Sequence, residues 1–401
     1  MSFVIILPRS ESLSDISSTS NSTGNTSLAR ELSSSNLSKS NVLFAGFNTQ
    51  ASMLAIGTEQ GFKIFSCAYG HFRKEFDLKF VDGGISFVSF MDKDKDSVAL
   101  VAGGSRPAFS MNKIVFYNYK ERRVTNELIC SRNVISVHSK KNVFVAVAED
   151  MIFVYDVRNR QPIHSLKTAI NHHGLFAMVY IKDRKQFLMA YPDETCSDGP
   201  LGNIKLIWMC SSTHKIVQES VIHAHESSIR CFSLSNDGSV LSTTSEKGTI
   251  VRVFYTDSGD KNIEFKRGAL TSDVYSLCFS HDGAFLACMS SNGTLHVFVV
   301  DYDAWKKQRL LAQGQTDSSW TSTLWDYVPT SITSSLESTP KSVFRYKNVE
   351  GICVCAFEST DDSILLCTNK GVYMSLKFDW KCSSSENFNG APTDKYVANI
   401  D

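Results

Sequence analysis

A phrase of about 46 residues, made of short apolar strands around a turn glycine, recurs along this chain and limits its fold more than any other feature. One copy runs from Phe47 to Phe65 and reads strand, tight turn, strand, with Gly61 at the turn. The phrase returns from Phe232 to Phe254, around Asn236-Asp237-Gly238 and Lys247-Gly248-Thr249. It returns again from Cys278 to Phe298, around His281-Asp282-Gly283 and Asn292-Gly293-Thr294. A degraded copy runs from Ala356 to Leu376, with Asn369-Lys370-Gly371 at its turn. Gly61 and Gly248 lie 187 residues apart, close to four steps, and Gly248 and Gly293 lie 45 apart. Gly293 and Gly371 lie 78 apart, one step plus a surplus of 33. The spacing therefore predicts seven units. Looser units between the first and fifth are marked by Ile85–Phe90, Val143–Val147 and Phe187–Pro192.

A single small antiparallel sheet of this size cannot cover both of its faces. Seven sheets packed radially cover one another and leave only short edges. The expected fold is thus all-β, a seven-bladed β-propeller over residues 42–379. Two stacked β-sandwiches are the rival, and a repeat near 46 residues disfavours them. Residues 9–41 are dominated by Ser, Asn and Thr and carry too few apolar side chains to offset the entropy of ordering, so they are expected to be disordered. Residues 1–8 hold a short strand that could join the propeller, and 380–401 read as a C-terminal tail.

Composition narrows the function classes. Lys plus Arg and Asp plus Glu are each 41, a formal net charge of zero. A general polyanion binder needs a broad basic surface, so no nucleic-acid partner is expected, while a local basic site stays open. The 11 Cys are spread singly through apolar segments, which suggests buried thiols in a reducing compartment. Cys353 and Cys355 would share a strand face, but no further metal ligands lie near them in sequence. No segment approaches the ~20 apolar residues that span a bilayer. The run Phe3–Leu7 is too short for a signal-peptide core and lacks a basic leader. Nothing resembles a Gly-rich phosphate loop, a nucleophile elbow, a carboxylate pair or a metal-ligand spacing. The chain is therefore expected to be a non-enzymatic cytoplasmic protein that needs no cofactor.

The surplus falls between residues 301 and 342. It holds three of the five Trp (Trp305, Trp320 and Trp325), together with Leu324, Tyr327 and Val328 and a basic start at Lys306-Lys307-Gln308-Arg309. Large apolar side chains on a surface loop need a burial partner. Either the loop folds back on its own blade, or it meets a bilayer interface, where Trp and Tyr are favoured and cations meet anionic head groups.

Between the two best repeats lies Asn262-Ile263-Glu264-Phe265-Lys266-Arg267-Gly268. If it is extended, Lys266 and Arg267 point to opposite sides and serve two separate anion sites. The following glycine lets the backbone turn or approach a ligand. Arg252 sits in the apolar run Ile250–Phe254 and needs a polar partner, either an anionic ligand or an internal carboxylate.

These units resemble the WIPI/PROPPIN family of phosphoinositide-binding β-propellers. The likeness is carried by Ala224-His225, Ser245–Phe254, Phe265-Lys266-Arg267-Gly268 and Gly293–Phe298, with weaker support from Ala102–Lys113 and Met189–Pro192. The resemblance implies binding of phosphatidylinositol 3-phosphate and phosphatidylinositol 3,5-bisphosphate at two rim sites, and entry of the blade-six insertion into the membrane. Carried over by position, the first site uses His225, Thr243, Ser245, Gly248, Thr249, Arg252 and Lys266. The second uses Arg267, Gly268, Ser290, Thr294 and His296. The inserting residues are Trp320, Leu324, Trp325, Tyr327 and Val328. Hydroxyl and backbone donors with nearby cations suit phosphate oxygens.

One departure stands out: the family pattern has two arginines where this chain has Lys266 and Arg267. Lysine lacks the planar fork that arginine offers phosphate, so the first site is expected to be the weaker. The resemblance further implies recruitment of autophagy lipid-transfer or conjugation machinery through blades two and three. The segments Ser105-Arg106-Pro107 and Lys120-Glu121-Arg122-Arg123 are flagged there. The implied location is the phagophore (preautophagosomal), endosomal or vacuolar membrane, held peripherally. The alternative is a propeller scaffold that binds proteins and no lipid.

Overall fold

The computed structural model describes residues 3–6, 42–67, 71–79, 83–194, 202–301, 342–360, 362–378, 392 and 394–400. Among them the regular elements are strands, grouped in seven antiparallel sheets. Blade one comprises β1–β5 (Phe3–Ile6, Val42–Phe47, Met53–Thr58, Gly61–Ser66, Arg73–Lys79), and blade two β6–β9 (Ile85–Phe90, Ser97–Ala102, Lys113–Asn118, Arg123–Ile129). Blade three comprises β10–β13 (Ser136–Lys140, Val143–Val147, Met151–Asp156, Pro162–Lys167), and blade four β14–β17 (Ala177–Ile181, Gln186–Pro192, Gly202–Cys210, Ile216–His225). Blade five comprises β18–β21 (Ile229–Leu234, Val240–Ser245, Ile250–Tyr255, Lys261–Lys266) and blade six β22–β25 (Val274–Phe279, Phe285–Ser290, Thr294–Val299, Phe344–Tyr346). Blade seven comprises β26–β29 (Cys353–Phe357, Ser363–Thr368, Val372–Lys377, Asp394–Asn399). The inner strands β2, β6, β10, β14, β18, β22 and β26 neighbour one another in turn, and β26 meets β2, so the ring closes.

Burial explains why these residues form these strands. The second strand of each four-stranded blade is buried over most of its length and in most blades mainly apolar, as in Ser97–Ala102 and Phe285–Ser290, because a blade lies against each of its faces. The fourth strand is outermost and mostly exposed, as in Arg123–Ile129. The apolar clusters cross from blade to blade: Val251, Val253 and Phe265 of blade five pack with Leu286, Cys288 and Phe298 of blade six.

The turn glycines that revealed the repeat all precede or open a third strand, and all have positive φ: 134° at Gly61, 57° at Gly248, 72° at Gly293 and 77° at Gly371. At three of them a Cβ would also strike a carbonyl. It would lie 2.0 Å from Leu78 O at Gly61, 2.0 Å from Ser272 O at Gly248 and 2.4 Å from Val349 O at Gly293. The repeat thus needs glycine for both the backbone angle and the close passage of neighbouring chain.

One terminal expectation changes. The C-terminal stretch read as a tail contains β29, which pairs with β28 along its length (Val372↔Asn399 to Lys377↔Asp394) and completes blade seven. It escaped notice because Asp394–Asn399 lies at the rim and is almost wholly exposed, so it shows no apolar alternation. The N-terminal strand β1 joins the propeller as a fifth strand of blade one, pairing Phe3↔Phe47 to Ile6↔Phe44. Lys63 Nζ donates to Ile400 O at 3.1 Å and ties blade one to the end of the chain. The Ser-rich stretch 9–41 and the insertion core 302–341, with Trp320, Leu324, Trp325, Tyr327 and Val328, lie outside the described residues. The insertion leaves from β24 and returns at β25, within blade six. The nine described cysteines are free thiols, and Cys355 Sγ donates to Ser276 Oγ at 3.4 Å.

Candidate functional site

The strand β21 pairs with β20 in the register Ile250↔Lys266, Val251↔Phe265 and Arg252↔Glu264. Phe265 is buried and its ring stacks on Phe298 of blade six, with centroids 4.6 Å apart. That contact fixes the orientation of the strand. Phe265 faces blade six, while Glu264 and Lys266 face blade four by alternation. On the blade-four side, Arg252 Nη1 donates to Ala224 O of β17 at 2.7 Å. Arg267, just past the strand, follows the parity of Phe265 and is buried, whereas Lys266 is exposed.

The first cleft lies between blades four and five. His225, at the end of β17, is buried and shares a 2.9 Å hydrogen bond between Nε2 and Thr243 Oγ1. Burial and then the Arg252 charge pull the His225 pKa down to about 4, so the ring is neutral. Thr243 stands opposite Arg252 in the β19–β20 ladder and shares its sheet face. Ser245 is buried, and its carbonyl accepts the Gly248 N–H at 2.9 Å. Arg252 is engaged by an internal carboxylate: its Nε lies 2.9 Å from Glu264 Oε2, and Lys261 Nζ reaches the same oxygen at 3.4 Å. Burial raises the Glu264 pKa, but the bonds and charges of Arg252 and Lys261 outweigh it and hold the carboxyl below its ordinary value. The internal carboxylate is thus the partner that Arg252 required. Lys266 has no ion-pair partner among the described residues.

The second cleft lies between blades five and six. The Thr249 carbonyl accepts the N–H groups of Arg267 (2.9 Å) and Gly268 (3.3 Å), which carries the backbone out of β21. The Arg267 guanidinium donates to Gly248 O and, at 2.5 Å, to Leu270 O. Both acceptors are neutral carbonyls, no carboxylate among the described residues pairs with the charge, and burial pulls its pKa down from the ordinary arginine value. Across the cleft, Ser290 and Thr294 stand opposite each other at the β23–β24 turn. Ser290 Oγ donates to Asn292 Oδ1 at 2.7 Å and so serves the turn itself. His296 is buried, parallel to the Phe298 ring, with Nδ1 3.3 Å from Ser342 Oγ. Burial, then the charges of Arg345, Arg267 and Lys347, take its pKa down to about 3.

The first cleft holds His225, Thr243 and Arg252, whereas Gly248 and Thr249, assigned to it from the sequence, turn their carbonyls to Arg267 and Gly268 of the second; three further residues were missed. Glu264 was in plain view inside the basic motif; only the β20–β21 register reveals that it faces Arg252. Arg345 stands directly opposite His296 in the β24–β25 ladder, and Lys347 follows two residues on. Their signal was the Arg-x-Lys alternation just after the insertion. Of the segments flagged for partners, both lie in blade two. Ser105 donates through its N–H and hydroxyl to Glu59 Oε2, each at 2.9 Å. The turn at 120–123 carries an Arg123–Glu121 pair at 2.6 Å, with Arg122 over the Phe76 ring. A separate cleft between blades two and three is lined by Met91, Phe116, Leu128, Phe144, Tyr155 and Arg160, among others. Among the described residues no His, Cys, Asp and Glu cluster could hold a metal ion, and no helix is long and apolar enough to cross a membrane.

A closed ring of seven blades, with one Lys-Arg pair divided between two neighbouring clefts, defines the class as a β-propeller with twin basic sites. The chain belongs to the PROPPIN family, whose model matches residues 41–366. It is similar to "Autophagy-related protein 18" of Komagataella pastoris, 29% identical over an alignment of 327 residues that covers 73% of this chain and 57% of that protein. It is also similar to the Dictyostelium discoideum protein of the same name, 28% identical over 84% of this chain and 89% of the relative. The matched region spans about half to three-fifths of several yeast relatives. Among solved structures, one is a complex of KlAtg21 with the coiled-coil of AgAtg16. Its similarity has a TM-score of 0.66 at 20% identity, over 89% of this chain and 98% of that one. Kluyveromyces lactis Hsv2 gives 0.64 at 19% identity, over 83% and 92%. At these identities the solved structures speak to the fold. Family and relatives together mark an autophagy-related PROPPIN propeller.

Proposed function

We propose that this propeller is a non-enzymatic effector that binds 3-phosphorylated inositol lipids, the mono- and the 3,5-bisphosphate, at its two inter-blade clefts. The observation that carries the reading is the division of Lys266 and Arg267 between two clefts. Each cleft holds a neutral histidine and threonine hydroxyls, and the second holds an uncompensated buried guanidinium. A buried cation without a counter-ion is costly, and an arriving phosphate offsets that cost through charge-assisted hydrogen bonds. The Trp-bearing insertion of blade six would enter the bilayer through Trp320, Leu324, Trp325, Tyr327 and Val328. Several weak contacts to one membrane then act together and raise avidity. The protein would sit peripherally on autophagosome-forming, endosomal or vacuolar membranes. The cleft between blades two and three, with its apolar lining and Arg160, is suited to a helical protein segment from the lipid-transfer or conjugation machinery.

The test is flotation with phosphatidylcholine vesicles carrying a panel of phosphoinositides. Wild type should float with 3-phosphorylated lipids, a Lys266→Ala/Arg267→Ala variant should not, and deletion of 310–338 should weaken binding. Binding unchanged by the double substitution would favour a scaffold that engages proteins alone.

A further inference from the structure

The loop Gly268–Asp273 carries the chain from β21 of blade five to β22 of blade six, beside the second cleft. Leu270 at its tip is 81% exposed, the most exposed large apolar side chain among the described residues. A lone exposed leucine is ordinary on a protein surface. Two features set this one apart. Its backbone is held at several points. Arg267 Nη2 donates to Leu270 O at 2.5 Å. The Gly268 N–H donates to Thr249 O and the Ser272 N–H to Lys247 O, each at 3.3 Å. Ser272 Oγ lies 2.8 Å from Ser291 Oγ at the β23–β24 turn. A loop tied in this way to blades five and six loses little further entropy when its tip is buried. The second feature is charge. Lys247 and Lys266 are exposed and have no ion-pair partner among the described residues, and Ala269 and Thr271 beside the leucine are exposed and uncharged. Of the nearby acids, Glu246 precedes Lys247, and Asp273 lies 3.6 Å from Arg230. The next most exposed apolar residues, Ile129 and Ile170, sit on blade two and between blades three and four, apart from both basic clefts.

Building on the lipid reading above, we infer that Leu270 is a fixed apolar anchor that enters the bilayer interface when Arg267 engages a lipid phosphate. Arg267 then has two duties. Its Nε and Nη2 hold the Gly248 and Leu270 carbonyls, and its Nη1 has no protein acceptor among the described residues, so that nitrogen is left for the phosphate. Only three positions separate the cation from the apolar tip, so a headgroup held in the cleft brings the bilayer surface to Leu270. An apolar tip between exposed lysines suits that surface: the cations meet anionic head groups while the leucine passes to the acyl boundary. The anchor is separate from the blade-six insertion, which leaves β24 at the opposite end of the strand from the Ser290–Thr294 turn.

The experiment compares wild type, Leu270→Ser and Leu270→Trp on phosphatidylcholine vesicles carrying phosphatidylinositol 3-phosphate. Calorimetry with soluble inositol 1,3-bisphosphate forms a parallel arm. The serine variant should lose about three- to tenfold affinity for vesicles and keep wild-type affinity for the soluble headgroup. The tryptophan variant should bind vesicles at least as well as wild type, since tryptophan is favoured at the interface. Its fluorescence should be quenched by brominated phosphatidylcholine beyond the quenching seen in wild type. The side chain is exposed, so thermal melts of both variants should match wild type. Wild-type vesicle binding by Leu270→Ser overturns the anchor and leaves the loop as a surface for a protein. An equal loss on the soluble headgroup also overturns it, because the leucine would then act through the shape of the cleft. Absence of extra quenching in Leu270→Trp overturns insertion directly. If wild type binds neither the vesicles nor the soluble headgroup, the lipid reading itself fails. If wild type binds both and Leu270→Ser changes neither, this inference alone falls.

Discussion

The cleft between blades four and five and the cleft between blades five and six share the strand β21, and each has a neutral buried histidine, yet they handle charge differently. In the first, Arg252 is held by Glu264 at 2.9 Å and by the Ala224 carbonyl, and the cation without an ion pair among the described residues is the exposed Lys266. In the second, Arg267 is buried against backbone carbonyls, Arg345 stands opposite His296, and neither arginine has an acid partner among the described residues. An anion arriving at the first cleft must compete with a resident carboxylate. At the second it meets charge that the fold has left uncompensated. The comparison teaches that two adjacent basic residues on one strand need not make equivalent sites; the partners on each neighbouring blade decide.

The largest effect should come from the β19–β20 turn of blade five, the blade that borders both clefts. Gly248 adopts φ 57°, and a Cβ there would lie 2.0 Å from Ser272 O. Gly248→Ala should cost about 2–4 kcal/mol from backbone strain and overpacking. Thermal melts should fall, and vesicle binding through both clefts should weaken together. Loss at one cleft alone would show that the turn is not their common support.

Next come the two cations themselves. Arg267→Ala should cut vesicle affinity by more than about tenfold, and Lys266→Ala by about two- to threefold. Arg267→Ala also strands the Gly248 and Leu270 carbonyls, at about 1–3 kcal/mol of stability. Circular dichroism melts of the same samples separate the two effects, and Arg267→Lys should recover part of the binding. Equal losses from the two substitutions would erase the asymmetry.

The histidines offer a third comparison. His225 and His296 both have pKa values pushed below the ordinary 6.5, to about 4 and about 3. The unfolded chain therefore binds more protons than the fold between roughly pH 6.5 and 4, and stability falls as pH falls through that window. Each ring should contribute on the order of 1–2 kcal/mol of loss by about pH 5. His225, with one neighbouring arginine and Glu264 nearby, should protonate before His296, which faces three cations. Histidine C2–H titration by NMR reads the order directly.

Much of this was legible in the sequence, and for particular reasons. Gly61, Gly248, Gly293 and Gly371 stand out because positive φ and close passage both require glycine, so the blade count survives weak repeats. The division of Lys266 from Arg267 follows from strand alternation alone. What stayed hidden lies on the outermost strands, where burial imposes no apolar pattern. The strand β29 reads as polar tail, and β25 is three residues long and sits behind the insertion. The Glu264–Arg252 pair was hidden for another reason. It depends on a register that shifts at Val253/Phe254, and a one-residue error would put the carboxylate on the other face of the sheet.

The finest test acts on that pair. Glu264→Gln keeps the shape of the side chain and removes the charge that engages Arg252 and Lys261. The two partners are 28% and 22% exposed, so the ion pair is screened and contributes under about 1 kcal/mol. Stability should change little, while the first cleft gains an uncompensated arginine and should bind vesicles a few-fold more tightly. Lys266→Arg should add to this by restoring a planar fork beside it. In an Arg267→Ala background, where the second cleft is silenced, the gain should be easiest to see. The combined variant then asks whether a cleft becomes a strong anion site once its internal carboxylate is gone. No gain in that background would mean that Glu264 does not restrain the first cleft, and the electrostatic contrast between the two sites would need another cause.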